Sequence, residues 1–123
     1  NHMILQVEHQ QETLLCDYKW FVEALENIIK NCIEHSKDNS KIEIHYEENS
    51  VYTKIEIKDH GIGINKQDLP HIFERFYKGK NSSNESNGIG LALAKSIIES
   101  NNGYIDVESE VGIGSLFIIK YFK

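Results

Sequence analysis

Val51-Tyr52-Thr53-Lys54-Ile55-Glu56-Ile57-Lys58-Asp59-His60-Gly61-Ile62-Gly63 is an alternating strand that runs straight into a glycine turn. Val51, Thr53, Ile55 and Ile57 fall on one face, the period of a half-buried strand. Just before it, Ile42, Ile44 and Tyr46 alternate with charged residues, and Glu48-Asn49-Ser50 supplies a turn. The two segments read as an antiparallel hairpin. At its exit stands Asp59, followed by Gly61 and Gly63. Glycines strip side chains from the turn, so a flat ligand can approach the backbone while the carboxylate accepts a hydrogen bond. Alone, a short Asp-x-Gly-x-Gly run is a common turn.

Upstream of the hairpin the period becomes helical. Over residues 18–36, Phe21, Ala24, Leu25, Ile28, Ile29, Cys32 and Ile33 recur at spacings of three and four, which makes one apolar face. Asp17 sits where a cap belongs. Asn27 and Asn31 are one turn apart beside this stripe, and His35 falls inside it. Asparagine offers a carbonyl oxygen for a hard metal and an amide for phosphate oxygens, although asparagines at a helix edge also simply bond water. Residues 4–16 mix apolar and polar side chains and predict short extended segments.

Downstream, a polar segment with Pro70 leads to Phe73-Glu74-Arg75-Phe76-Tyr77. Lys80-Asn81-Ser82-Ser83-Asn84-Glu85-Ser86-Asn87 then carries no apolar side chain, so it predicts a mobile loop. Gly88-Ile89-Gly90 opens a second helix with Leu91, Ala94, Ile97 and Ile98, ending near Asn102-Gly103; a glycine pair there is a candidate phosphate-binding turn or plain helix packing. Strands over 104–109 and 115–121 flank Gly112-Ile113-Gly114. This order predicts a largely antiparallel sheet with helices on one face.

The 123 residues suffice for one domain, 40% hydrophobic and 26% charged. The net charge of -6 argues against nucleic acid as a partner, but not against a nucleotide whose phosphates a metal ion masks. Cys16 and Cys32 lie among apolar residues without metal-ligand spacing and read as free thiols of a reducing compartment. No apolar run is long enough to span a bilayer. Asn1-His2-Met3 reads as an expression scar, leaving residues 4–123 as the domain.

Taken together, Asn27-Ile28-Ile29-Lys30-Asn31, Asp59-His60-Gly61-Ile62-Gly63, Phe73-Glu74-Arg75-Phe76-Tyr77 and Gly88-Ile89-Gly90-Leu91-Ala92-Leu93-Ala94 occur in one order. This series resembles the asparagine box, first glycine box, phenylalanine box and second glycine box of sensor histidine kinases. Gly112-Ile113-Gly114-Ser115-Leu116-Phe117 is similar to that family's closing turn.

The resemblance implies a Bergerat fold, an α/β two-layer sandwich with a mixed, mostly antiparallel sheet covered on one face by about three helices. It implies a domain that binds Mg-ATP and donates the γ-phosphate to a histidine on a neighbouring dimerisation domain. By the same resemblance, Asn31 would coordinate Mg2+ with Asn27 in support. Asp59 would accept the adenine amino group, and Gly61, Gly63 and His35 would lie against the base. Residues 73–87 would form a lid over the triphosphate. There Arg75, Phe76, Lys78 and Lys80 would meet nucleotide, with Arg75 in a catalytic role. Gly88, Ile89, Gly90 and Leu91 would present the start of the second helix to the phosphates.

The pattern departs at Glu34, where the family has a phosphate-binding lysine; at His35, usually aromatic; and at Ser86, usually glycine. His9 precedes Gln10 outside any long amphipathic helix, so it is not the family's phosphoacceptor. His45, His60 and His71 read as surface residues. The implied partners are the parent's own dimerisation domain and a response regulator. The parent would be a homodimer anchored in the bacterial membrane, with this domain cytoplasmic and monomeric in isolation. Topoisomerase, mismatch-repair and chaperone ATPases of the same fold, and anti-sigma serine kinases, carry a glutamate where this chain has Asn27. A degenerate nucleotide-binding module that signals by docking is favoured only by Glu34.

Overall fold

In a computed structural model, the structure describes residues 4–7, 18–37, 39–76 and 90–123. The chain runs β1 (Ile4–Val7), α1 (Tyr18–His35), β2 (Lys41–Glu48), β3 (Tyr52–Asp59), a single 3-10 turn (Leu69–His71), α2 (Gly90–Ser100), β4 (Gly103–Glu110) and β5 (Gly114–Phe122). The five strands lie in the order β1-β2-β3-β5-β4. Among the described residues only the β1–β2 pair is parallel. The expected two-layer α/β architecture and mixed, mostly antiparallel sheet are what the structure has.

The helix count differs from the expected three. Among the described residues there are two α-helices, and the polar segment around Pro70 makes only one 3-10 turn. Pro70 fits the first turn of this short helix, and Ile72 and Phe73, which follow it, pack against the core outside any regular helix. The predicted cap Asp17, and His9 and Cys16, lie outside the described residues.

Local chemistry explains the boundaries. The Asn49 side chain accepts the amides of Val51 (2.8 Å) and Tyr52 (2.9 Å), which closes the β2–β3 turn. α2 stops where Asn102 enters the left-handed region at φ 63°, so Asn102 rather than Gly103 terminates it. Gly103 is instead required by space, because a Cβ there would lie 2.6 Å from the Tyr121 ring and 2.8 Å from the Ile98 carbonyl oxygen.

Register sets the core. Ile44, Ile57, Phe117 and Val107 form one row across the sheet, and Tyr46, Ile55, Ile119 and Ile105 form the next. Phe21, Ala24, Ile28 and Cys32 of α1 and Ala94, Ile97 and Ile98 of α2 are buried with them in one cluster. One row further toward the exit of β3, the inward parity turns polar. Ile42 is followed by Asp59, Ser115 and Ser109. β4 is an edge strand, with Asp106, Glu108 and Glu110 exposed along it.

The opposite sheet face is charged. Glu43 of β2 lies between two histidines, with His60 Nε2 at 2.8 Å from Oε1 and His45 Nε2 at 3.4 Å from Oε2. The His60 hydrogen bond, followed by that of His45, holds the Glu43 carboxyl below the usual carboxylate range against the opposing effect of burial. A carboxyl depressed in the folded state stabilises the fold above its unfolded value, about pH 4.3, and loses that contribution as pH falls through the folded value. Glu43→Gln should therefore be less stable than the parent above about pH 5, and the gap should close toward about pH 3. Urea unfolding of both proteins over that range measures it. A gap independent of pH would mean that the Glu43 charge contributes nothing.

Candidate functional site

The polar row is one wall of the candidate site. Asp59, the last residue of β3, is 3% exposed. Its Oδ1 accepts the backbone amides of Gly61 at 3.0 Å and Ser115 at 3.1 Å. A carboxylate at this depth requires such donors, since an unpaired buried charge is costly. The Cys32 thiol of α1 hydrogen-bonds the same carboxylate. Burial pushes the Cys32 thiol well up from its ordinary value, and the charge and hydrogen bond of Asp59 add to the shift. Cys32 is thus more than an apolar residue of the stripe: it touches the carboxylate that the sequence singles out.

The turn after β3 is held between two other segments. The Ile62 amide donates to the His35 carbonyl oxygen at 3.0 Å, and the Gly112 amide donates to the Ile62 carbonyl oxygen at 2.9 Å. Gly61 and Gly63 were expected to leave room for a ligand, but the volume that their Cβ atoms would fill is occupied by the chain itself. A Cβ on Gly61 would lie 2.0 Å from the His35 carbonyl oxygen, and one on Gly63, at φ 77°, 2.3 Å from that of Glu110. Gly114, at φ 145°, approaches Asp59 in the same way, with 2.1 Å from its would-be Cβ to the Asp59 carbonyl oxygen. These glycines allow three backbones to cross at Asp59.

α1 brings the asparagines to the same end. Asn27 faces the start of α2, where a Cβ on Gly90 would be 3.5 Å from Asn27 Oδ1. Its Nδ2 is buried without a hydrogen-bond partner among the described residues, and so is Nδ1 of His35. Unsatisfied buried donors and acceptors are rare and call for a further partner. Asn31 and Glu34 are half-buried on the same helix, and Leu91 packs against the core.

The structure therefore brings Asn27, His35, Asp59, Gly61, Gly63 and Gly90 to one end of the sandwich. Phe73 is anchored beneath, edge-on to Phe117 with ring centroids 6.4 Å apart and with Lys95 Nζ 5.4 Å from its centre. Arg75 and Phe76 are exposed, and the Arg75 guanidinium lies 5.4 Å from the Phe76 ring centre. Phe76 has φ 65°, an outlier for an aromatic residue. Lys78, Lys80, Ser86, Gly88 and Ile89, and with them residues 77–87 of the lid expected over 73–87, lie outside the described residues.

Sequence reasoning passed over Cys32 as a ligand of Asp59, and over Ser109. The Ser109 hydroxyl meets the Ile64 amide (2.7 Å), the Gly114 carbonyl oxygen (3.0 Å) and the Ser115 hydroxyl (2.9 Å). The signal was available in strand parity, because Ser109 and Ser115 occupy inward positions in line with Ile105 and Ile119.

The family described as "Histidine kinase-, DNA gyrase B-, and HSP90-like ATPase" matches residues 16–123, and the chain belongs to it. Among characterised relatives, the sensor histidine kinase YclK of Bacillus subtilis (strain 168) is 38% identical over 124 residues, covering 98% of this chain and 26% of that protein. The sensor histidine kinase YvrG of the same organism is 33% identical over 109 residues, covering 87% of this chain and 19% of its own length. The chain thus spans about a fifth to a quarter of the relatives that it matches. The mycobacterial sensor histidine kinase MprB shares the fold, with a TM-score of 0.83 at 21% identity over 98% of this chain and 82% of that one.

Cys32 should be inert while the chain is folded, because it is fully buried and its thiolate is disfavoured. In a Cys16→Ser background, iodoacetamide at about pH 8 should modify it roughly a hundredfold more slowly than after unfolding in urea. Equal rates in the two states would remove the thiol from the Asp59 site.

Proposed function

We propose that this chain binds Mg-ATP and donates its γ-phosphate to a histidine on the dimerisation domain of a two-component sensor kinase. The observation that carries this reading is the buried carboxylate of Asp59. Both hydrogen bonds to its Oδ1 come from backbone amides, and it sits at the same end of the fold as Asn27 and His35 nitrogens that are buried with no partner among the described residues. A carboxylate fixed in this way suits an exocyclic amino group, as adenine presents. His35 would lie against the base beside Gly61 and Gly63.

The asparagine edge of α1 fits a metal triphosphate. Side-chain amides offer an oxygen to a hard cation and N–H groups to phosphate oxygens, and no described residue takes up Asn27 Nδ2. Asn31 would be the direct Mg2+ ligand with Asn27 one turn away; the metal, when bound, neutralises phosphate charge. Gly88, Ile89, Gly90 and Leu91 would turn the start of α2 toward the phosphates. Arg75, Phe76, Lys78 and Lys80 would close over them, and Arg75, Lys78 and Lys80 would supply the cations that Glu34 does not. The chain's task in such a transfer is positioning and charge neutralisation.

The phosphoacceptor would lie on the parent's own dimerisation domain, and the phosphoryl group would pass on to a response regulator. The relatives' names support a parent that is a sensor, with this domain on the cytoplasmic side where ATP is. No helix among the described residues is long and apolar enough to cross a membrane.

Two substitutions test the reading. Asp59→Asn can still offer an oxygen to the Gly61 and Ser115 amides but sets an amide N–H against the adenine amino group. It should weaken ATP binding by about 1.5–3 kcal/mol. Isothermal titration of the folded variant measures this, and unchanged affinity would remove Asp59 from the base site. Asn31→Ala should abolish the Mg2+ dependence of nucleotide binding and stop transfer to the dimerisation domain. Phosphohistidine formed at the parent rate would show that Asn31 is not the ligand.

A further inference from the structure

The Ser109 hydroxyl is a junction of three chain segments around Asp59. It accepts the Ile64 amide at 2.7 Å, which ties down the far end of the turn that leaves β3. It donates its single proton to the Gly114 carbonyl oxygen at 3.0 Å, at the first residue of β5. With that proton spent, the 2.9 Å contact with Ser115 Oγ is a bond donated by Ser115. Ser115 is the residue whose amide donates to Asp59 Oδ1. Both amides that fix Asp59 thus belong to segments that Ser109 clamps, Gly61 in the turn before Ile64 and Ser115 at the start of β5.

We infer that Ser109 is a positioning residue for base recognition: its hydroxyl holds the turn and the strand that aim the Asp59 carboxylate, and so sets the preference for a 6-amino over a 6-oxo purine. The inference rests on Asp59 as the acceptor of the adenine amino group. A carboxylate pinned through one oxygen presents the other in a fixed direction. One whose amide donors can drift loses that direction and tolerates a different base edge. Loss of the Ser109 hydroxyl also leaves the Ile64 amide without its acceptor, which loosens the turn rather than the core. The effect belongs to the base end of the ligand, because Ser109 lies across β5 from Asp59 and not on α1 or α2, where the phosphates would lie.

The test compares ATP with inosine triphosphate, which has an oxygen in place of the 6-amino group and is otherwise alike. Affinities of the 123-residue chain for both, with Mg2+, are measured by titration for the parent, Ser109→Ala, Ser109→Cys and Asp59→Asn. Ser109→Ala should weaken ATP by about fivefold to tenfold and inosine triphosphate by less than about twofold. Ser109→Cys matches the size of serine and retains a weak donor, so it covers the case in which the alanine variant does not fold. It should lower the ATP preference in the same direction by a smaller factor. If either folded serine variant weakens both nucleotides by the same factor, or neither, Ser109 does not position the base acceptor. If Asp59→Asn keeps the parent's preference, the Asp59 reading falls and the Ser109 role falls with it. If Asp59→Asn loses the preference while the serine variants keep it, only the Ser109 role is overturned.

Discussion

Asp59 carries the constraint on which the functional end of this sandwich depends. A carboxylate taken out of water at a strand end is tolerated only with donors close by. Here they come from Gly61 in the turn that follows it, Ser115 on the neighbouring strand and Cys32 on the helix above. Each donor belongs to a different segment. Satisfying one buried charge therefore ties α1, the β3 exit and the start of β5 together, and the glycines at 61, 63 and 114 are what let those backbones come close enough.

The sheet separates stability from recognition by row. The rows through Ile57 and Ile55 are apolar across four strands and carry the core. The row through Asp59 is the first that cannot be filled by hydrocarbon, and it lies where α1 offers Cys32 and, a turn away, the amide edge of Asn27 and Asn31. Burial of the apolar rows fixes the position of the polar one to within a side chain, which is the precision that a binding group needs and a loop alone does not give.

Much of this was legible in the residues. Alternation placed β2, β3, β4 and β5 within about one or two residues of their observed ends, and the three-and-four spacing placed α1, because both periods report which face is buried. The Asp59 turn and the asparagine edge were found by residue type and order. What stayed hidden has a common cause. Cys32 was read as one more apolar position, Ser109 as a strand end and Ser115 as part of the closing turn and its strand, because their contacts join segments that the local pattern does not show to be neighbours. Gly61 and Gly63 were seen as special, yet which atoms claim their space depends on how the β4–β5 turn packs. Of the about three helices that the resemblance implied, two are found among the described residues, and the segment around Pro70 makes one 3-10 turn.

The edge position of β4 has a consequence of another kind. Its outer backbone groups are a template on which a second strand could assemble, the usual route by which sheet proteins aggregate. Asp106, Glu108 and Glu110 form a comb of negative charge along that edge, and two copies brought edge to edge would set comb against comb. In a chain that is already acidic, such repulsion opposes that approach. The protection is electrostatic, so it weakens in acid and at high salt, where the same edge becomes a site for polymerisation.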